Sequence, residues 1–188
     1  VISGNDEAKL IFDGITNNIK KLKNFVIVDI GGASTEFIIT KNKKSIFSKS
    51  YSFGSQLLIQ KFNPSKRLTE KEKEKIYFFF KQELEEIIFL LKKHNIINLI
   101  GSSGSFNCIT NVELKKNYDK NYHKLNIENY KNNISPLILD STVHERKKII
   151  GLSKMRAENI IITIILINFL IDVKIKNIYT SKLSLNEG

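Results

Sequence analysis

Apolar and polar positions fall into blocks along this chain, and the length and period of each block select helix or strand. Ala8, Leu10, Ile11 and Ile15 recur at helical spacing behind capping residue types at 3–6, so a helix is expected over 6–15. A polar Asn/Lys stretch then leads into FVIVDI at 25–30, which reads as a strand. Residues 35–40 read as its hairpin partner, and SIFSKSYSF at 45–53 alternates as a third strand would. Gly54 precedes a short helical pattern at 55–62. Thr69 with Glu72 three residues on is a capping-box pair, opening a helix expected to run to about residue 94. Residues 96–100 form a short apolar run that meets GSSGS at 101–105, with a helix expected after it. The polar, tyrosine-rich stretch 115–124 is expected to be an exposed loop. Helical pieces follow at 127–139 and 144–151, then a long apolar helix at 156–171 and a strand at 177–181. The run at 160–171 is β-branched enough for a strand, but its length favours a buried helix.

The order is therefore three adjacent strands, helices, a strand, helices and a strand. Strands joined by hairpins pair antiparallel, whereas strands joined through helices pair parallel. A mixed five-stranded sheet flanked by helices follows, in the α/β class. This order resembles the ribonuclease-H-like superfold of actin, sugar kinases and heat-shock ATPases.

At 188 residues, with 41% hydrophobic and 26% charged content, the chain can bury a core of one domain or slightly more. It starts at Val1, has Met155 as its only methionine and ends at Gly188 behind an apolar segment, so an excised piece of a longer protein is expected. The single cysteine, Cys108, excludes an internal disulfide, and with three scattered histidines it gives no zinc-ligand spacing. A reducing, cytoplasmic setting fits. No signal peptide is seen, and the run at 160–171 is shorter than the ~20 residues of a membrane span. The net charge of +11 suits a lysine-rich solvated surface as well as a field that attracts a polyanion.

The candidate chemistry starts where the first strand ends. Asp29 stands beside Gly31 and Gly32, with Ala33, Ser34 and Thr35 following. Glycines there would let the backbone approach a ligand and take positive φ, so that successive N–H groups point at a phosphate. Ser34 and Thr35 add hydroxyl donors. A carboxylate so close would repel a phosphate unless a divalent cation lies between them, an arrangement that Mg²⁺ prefers. An ordinary hairpin turn would use the same residue types, and the local spacing leaves both readings open. The second glycine-serine loop, Gly101 to Ser105, meets a helix N-terminus, which favours anions, although such turns are also common without ligands. Both loops follow strands, at the ends where open α/β sheets bind ligands. Tyr118, Tyr122 and Tyr130 lie among lysines, as base-stacking residues would. No nucleic-acid motif accompanies them, so a nucleic-acid partner is not expected.

Six blocks in order, VISGNDEAKLIFDGI, FVIVDIGGASTEFII, YSFGSQLL, NLIGSSGSFNCI, ERKKIIGLSKMRAENII and IYTSKLSLNEG, resemble the exopolyphosphatase and guanosine pentaphosphate phosphohydrolase family over nearly the whole chain. The resemblance implies the second domain of a two-domain actin-like phosphatase module. Residues 1–15 would end the first-domain motif and form the inter-domain helix, 16–188 would form the second ribonuclease-H-like domain, and the N-terminal domain would be absent. It implies Glu7 as the general base that orients water, and Asp29 with Glu36 at a metal site for Mg²⁺. Phosphate would be bound at Gly31, Gly32, Ala33, Ser34 and Thr35, and at Gly101, Ser103, Gly104 and Ser105. Departures from the family pattern are Ala33 where a third glycine is usual, Lys9 for arginine, Ser105 for threonine and Glu158 for aspartate. Positive φ at Ala33 would cost about 1–2 kcal/mol. Arg146 and Arg156 match family positions and are expected in structural ion pairs. His94, His123, His144 and Cys108 are expected to be structural.

The function implied is release of terminal orthophosphate from inorganic polyphosphate or guanosine pentaphosphate. The isolated piece should be nearly inactive without its N-terminal domain, and exposed apolar surface would favour self-association as a homodimer. The rival readings are an ATP-dependent kinase or ATPase of the same superfold, and a noncatalytic polyanion-binding regulatory module.

Overall fold

The computed structural model describes Phe12, Ile15 and residues 22–182. Among the described residues six strands form one sheet: β1 (Phe25–Ile30), β2 (Thr35–Lys41), β3 (Lys44–Tyr51), β4 (Asn98–Gly101), β5 (Tyr122–Lys124) and β6 (Asn177–Ser181). Their order across the sheet is β3-β2-β1-β4-β6-β5. β1, β2 and β3 form an antiparallel meander, and β4 lies parallel to both β1 and β6, as the connections require. The β2–β3 turn has positive φ at Asn42 (51°) and Lys43 (62°), the type I′ geometry that matches strand twist.

The sixth strand corrects the expected five. The tyrosine-rich stretch is not simply a loop, because β5 pairs antiparallel with β6 at the sheet edge. Tyr122 stacks on Tyr179 with ring centroids 5.3 Å apart, and the Tyr118 hydroxyl donates to the Tyr122 carbonyl at 2.7 Å. Tyr130 is fully buried. These rings are spent on packing within the fold.

The helices are α1 (Ser55–Phe62), α2 (Glu70–Glu83), α3 (Glu85–Lys93), α4 (Gly104–Leu114), α5 over 127–139, α6 (Val143–Arg146) and α7 (Ile160–Val173). The capping box is present: Thr69 Oγ1 accepts from the Glu72 amide, and the Glu72 carboxylate accepts from the Thr69 amide. The long helix expected after it is divided at Leu84 (φ −107°, ψ 22°). The apolar stripe continues through Ile76, Phe80, Leu84, Ile87 and Leu91, all fully buried, so both halves keep one face on the same core. In α5 the middle piece, Tyr130–Ile134, is π-helical. The helix expected at 144–151 shortens to α6, and the one expected from 156 begins at Ile160 after a 3₁₀ turn, Lys154–Arg156.

Side-chain alternation divides the core in two. Val26, Val28, Ile30, Phe37 and Ile39 face the main cluster with helical residues such as Ile76, Phe80, Ile109 and Leu166. Phe25, Ile27, Ile38, Ile100 and Tyr179 face the other way and pack with Ile15 and Phe12. The helix expected over 6–15 otherwise lies outside the described residues. Among the described residues no helix is long and apolar enough to cross a membrane.

Candidate functional site

Val28 of β1 lies opposite Gly101 of β4 in a parallel pair, so both strands end at the same rim. The two glycine-serine loops therefore emerge side by side. Ser102 joins them: its amide donates to the Val28 carbonyl at 3.0 Å and its hydroxyl to Asp29 Oδ2 at 3.1 Å.

Asp29 is the cross-strand partner of Glu36. Directly opposed residues share a face, so two carboxylates meet there. Ser50 on β3 donates to Glu36 Oε1 at 2.8 Å, and Glu36 is otherwise buried. Among the described residues no group of three or more metal-binding side chains exists. A carboxylate pair without further protein ligands suits Mg²⁺, which completes its shell with water and substrate oxygens.

The first loop is held by α1. The Ser55 amide (2.8 Å) donates to the Gly31 carbonyl, and the Gln56 (3.0 Å) and Leu57 (3.2 Å) amides donate to the Gly32 carbonyl. Ser55 Oγ adds a bond to Gly31 O at 3.0 Å. With the carbonyls turned toward α1, the amides of Gly32, Ala33 and Ser34 find no acceptor among the described residues. Gly31 N–H closes the turn on Ser34 O at 2.9 Å.

The second loop ends at Ser103, the N-cap of α4. Its hydroxyl makes no cap bond and is buried without a partner, beside the unpaired first-turn amides of an 11-residue helix. Arg156 reaches the same place, with Nη1 3.4 Å from Ser105 Oγ.

Several expectations change here. Among the described glycines only Gly151 has positive φ (90°), and Ala33 does not have it, so the anticipated strain at Ala33 is absent. The loop glycines act through space instead. A Cβ on Gly101 would lie 1.9 Å from the Phe106 ring, which makes Gly101 a packing glycine. A Cβ on Gly104 would lie 2.2 Å from Arg156 Nη2. The Thr35 hydroxyl is buried and donates to Phe53 O at 2.6 Å, so it is spent inside the fold. Arg146 makes no ion pair among the described residues: it is buried and donates to the carbonyls of Ala157 (2.5 Å), Ser141 (2.5 Å) and Ile138 (3.3 Å). Arg156 likewise makes no ion pair among the described residues. Cys108 is buried as expected, and burial pushes its thiol pKa up. His123 lies 2.6 Å from Glu113, a contact that supports β5 rather than the rim. Glu7 lies outside the described residues.

The rim alone does not distinguish among enzymes of this superfold, but a family model does. The model of the Ppx/GppA phosphatase family matches residues 1–188. The chain belongs to the Ppx/GppA phosphatase family. Its similarity to a guanosine-5'-triphosphate,3'-diphosphate pyrophosphatase of Pseudoalteromonas translucida (strain TAC 125) is 28% identity over 120 residues, 64% of this chain and 24% of that protein. An exopolyphosphatase from Cytophaga hutchinsonii superposes with a TM-score of 0.90 at 26% identity, covering 100% of this chain and 62% of its own. The Ppx/GppA phosphatase of Aquifex aeolicus shows the same fold, with a TM-score of 0.84 at 21% identity over 97% of this chain and 61% of its own. This Ppx/GppA chain thus spans about a quarter of the curated relative and about three fifths of the structural ones.

Four residues of the Ppx/GppA rim escaped sequence reasoning as site components. Gly54 had a signal, a glycine directly before a helix, and a Cβ there would lie 2.4 Å from Gly32 C. Ser102 and Ser50 had none, because their roles arise from strand register. Arg156 comes from a separate segment more than fifty residues after the loop it overlies, and only the fold brings the two together.

Proposed function

We propose that this chain carries one wall of a phosphohydrolase site that releases terminal orthophosphate from inorganic polyphosphate or guanosine pentaphosphate. The observation that carries this reading is the join at Ser102, which sets a carboxylate pair beside two loops with open donors. The amides of Gly32, Ala33 and Ser34 and the Ser103 hydroxyl at the α4 N-terminus would hold the terminal phosphoryl group. Asp29 and Glu36 would hold Mg²⁺, which when bound offsets charge on the phosphate oxygens. Glu7, on the strength of the family resemblance, would orient or deprotonate the attacking water. Positioning and electrostatics do most of the work in phosphoryl transfer, so a cradle of preset donors is the protein's main contribution. The part of the relatives that this chain does not match would supply the facing wall. The names of the similar proteins, one a guanosine-nucleotide pyrophosphatase and one an exopolyphosphatase, support both substrates without choosing between them. The single buried thiol suits the reducing cytoplasm.

The test is orthophosphate release from polyphosphate and from guanosine pentaphosphate by a protein carrying this chain with its facing domain, with and without Mg²⁺. Mg²⁺-dependent release from either substrate is expected. ATP turnover that exceeds release from both would give the site to the kinase or ATPase reading. Polyphosphate binding without turnover, and indifferent to Mg²⁺, would give it to a regulatory module.

A further inference from the structure

We propose that Ser102 is a positioning residue that couples cation binding at Asp29 to phosphate binding at the second loop. The inference rests on the reading of the rim as a magnesium-phosphate site.

Ser102 is fully buried and makes two contacts across the β1–β4 boundary. Its amide fixes the backbone to Val28 O (3.0 Å), and its hydroxyl fixes the Asp29 carboxylate through Oδ2 (3.1 Å). The next residue is Ser103, whose hydroxyl is the buried open donor at the head of α4. One dipeptide therefore carries both the orientation of the carboxylate and the position of a cradle donor. A shift of Asp29 toward a cation pulls on Ser102 and moves Ser103 with it, and a phosphate that seats Ser103 presets the carboxylate.

Glu36 provides an internal comparison. Its serine donor, Ser50 at 2.8 Å, stands on the edge strand β3 and has no covalent neighbour in either loop. Ser50 can orient its carboxylate but cannot transmit that to the cradle.

Calorimetric titration of the protein that carries this chain with its facing domain, with MgCl₂ and with inorganic phosphate, each alone and in the presence of the other, tests this. In the parent, each ligand should tighten the other. Ser102→Ala should weaken Mg²⁺ about tenfold, as outer-shell losses do, and reduce the mutual tightening. Ser50→Ala should weaken Mg²⁺ yet keep the parent's mutual tightening. In an Asp29→Asn background, Ser102→Ala should leave Mg²⁺ affinity unchanged, because its route of action is already gone. Should Ser102→Ala melt below the assay temperature, Ser102→Cys, of similar volume with only a weak donor, takes its place in the same cycle. Parent-like coupling in the Ser102 variant, or an equal Mg²⁺ loss in the Asp29→Asn background, overturns the proposal while leaving the site reading intact. A parent protein, facing domain included, that binds neither Mg²⁺ nor phosphate overturns the site reading itself.

Discussion

Replacing Gly54 with alanine should destabilise the fold and dislodge the loop at Gly31 to Thr35, although Gly54 touches no proposed ligand. Its backbone (φ −127°, ψ 177°) is extended and open to any residue, so the effect is purely steric. The new Cβ would lie 2.4 Å from Gly32 C and 2.5 Å from both Ala33 N and Gly32 O. These are backbone atoms, which cannot rotate away as a side chain can. Overpacking of this kind costs about 1–3 kcal/mol. Relief by separating α1 from the loop would weaken the amide bonds from Gln56 and Leu57 to Gly32, at about 1 kcal/mol each. A loss of roughly 3 kcal/mol in a chain of this size lowers Tm by about 6–12 °C. Two controls calibrate the result. Gly31→Ala meets nothing closer than Ser34 O at 3.4 Å and should melt near the parent. Gly104→Ala displaces only the Arg156 guanidinium, the far end of a flexible side chain, and should keep most stability. Circular-dichroism melts of the three variants, with phosphate titrations below the melting range, make the comparison. If Gly54→Ala melts within about 2 °C of the parent, or Gly31→Ala costs as much, α1 does not position the loop.

Lys43→Gly should raise stability by about 1 kcal/mol, since Lys43 holds a left-handed φ of 62° in a turn that favours Asn-Gly; chemical denaturation reads it directly. Glu72 accepts from the amides and hydroxyls of Thr69 and Ser65, and the Thr69 amide leads the bonds that hold its pKa down to about 2. A lowered folded pKa means stability present above the unfolded value and lost as pH falls through about 2, so Glu72→Gln should flatten the acid limb of a pH–stability curve between about 4.5 and 2. Polyphosphate affinity should fall steeply across a salt series, because a surface of net charge +11 attracts a polyanion through screened interactions; a flat response would make that charge a matter of composition. Glu7→Gln, in a protein that also carries the facing domain, should lower kcat by about 10²–10⁴ with little change in KM, and a loss under about threefold would remove Glu7 from the mechanism.

Strands and helices were legible where one residue pattern decided them. The meander from residue 25 to 51 follows from alternation and hairpin spacing, and the helix after Thr69 from its capping pair. Strand β5 was hidden because an edge strand of three residues, with a stacked tyrosine as its main anchor, has no periodicity to show. Asp29 and the two loops were visible as residue types that interrupt apolar runs. Their conjunction was not, since adjacency of β1 and β4 depends on a crossover spanning more than sixty residues. Arg146 illustrates the opposite error: a charged side chain suggests an ion pair, yet a buried guanidinium with five donors is satisfied as well by carbonyls.

Ala33 shows what the fold adds to a motif. In isolation, an alanine where the family favours glycine suggests strain or a weakened cradle, because a phosphate loop is expected to need positive φ. The loop obtains its amide orientation differently. Carbonyls of Gly31 and Gly32 are drawn to the N-terminus of α1, and because the carbonyl and the amide of a trans peptide point opposite ways, the amides of Gly32 and Ala33 face away from α1. This device needs room rather than an unusual backbone, and the room is required at Gly54, where a Cβ would meet backbone atoms of Gly32 and Ala33; at Gly32 a Cβ would meet only the movable end of the Gln56 side chain. Ala33 faces neither constraint, and its amide is as open to an acceptor as a glycine's would be. The substitution therefore gives no ground for reading this chain as a noncatalytic relative.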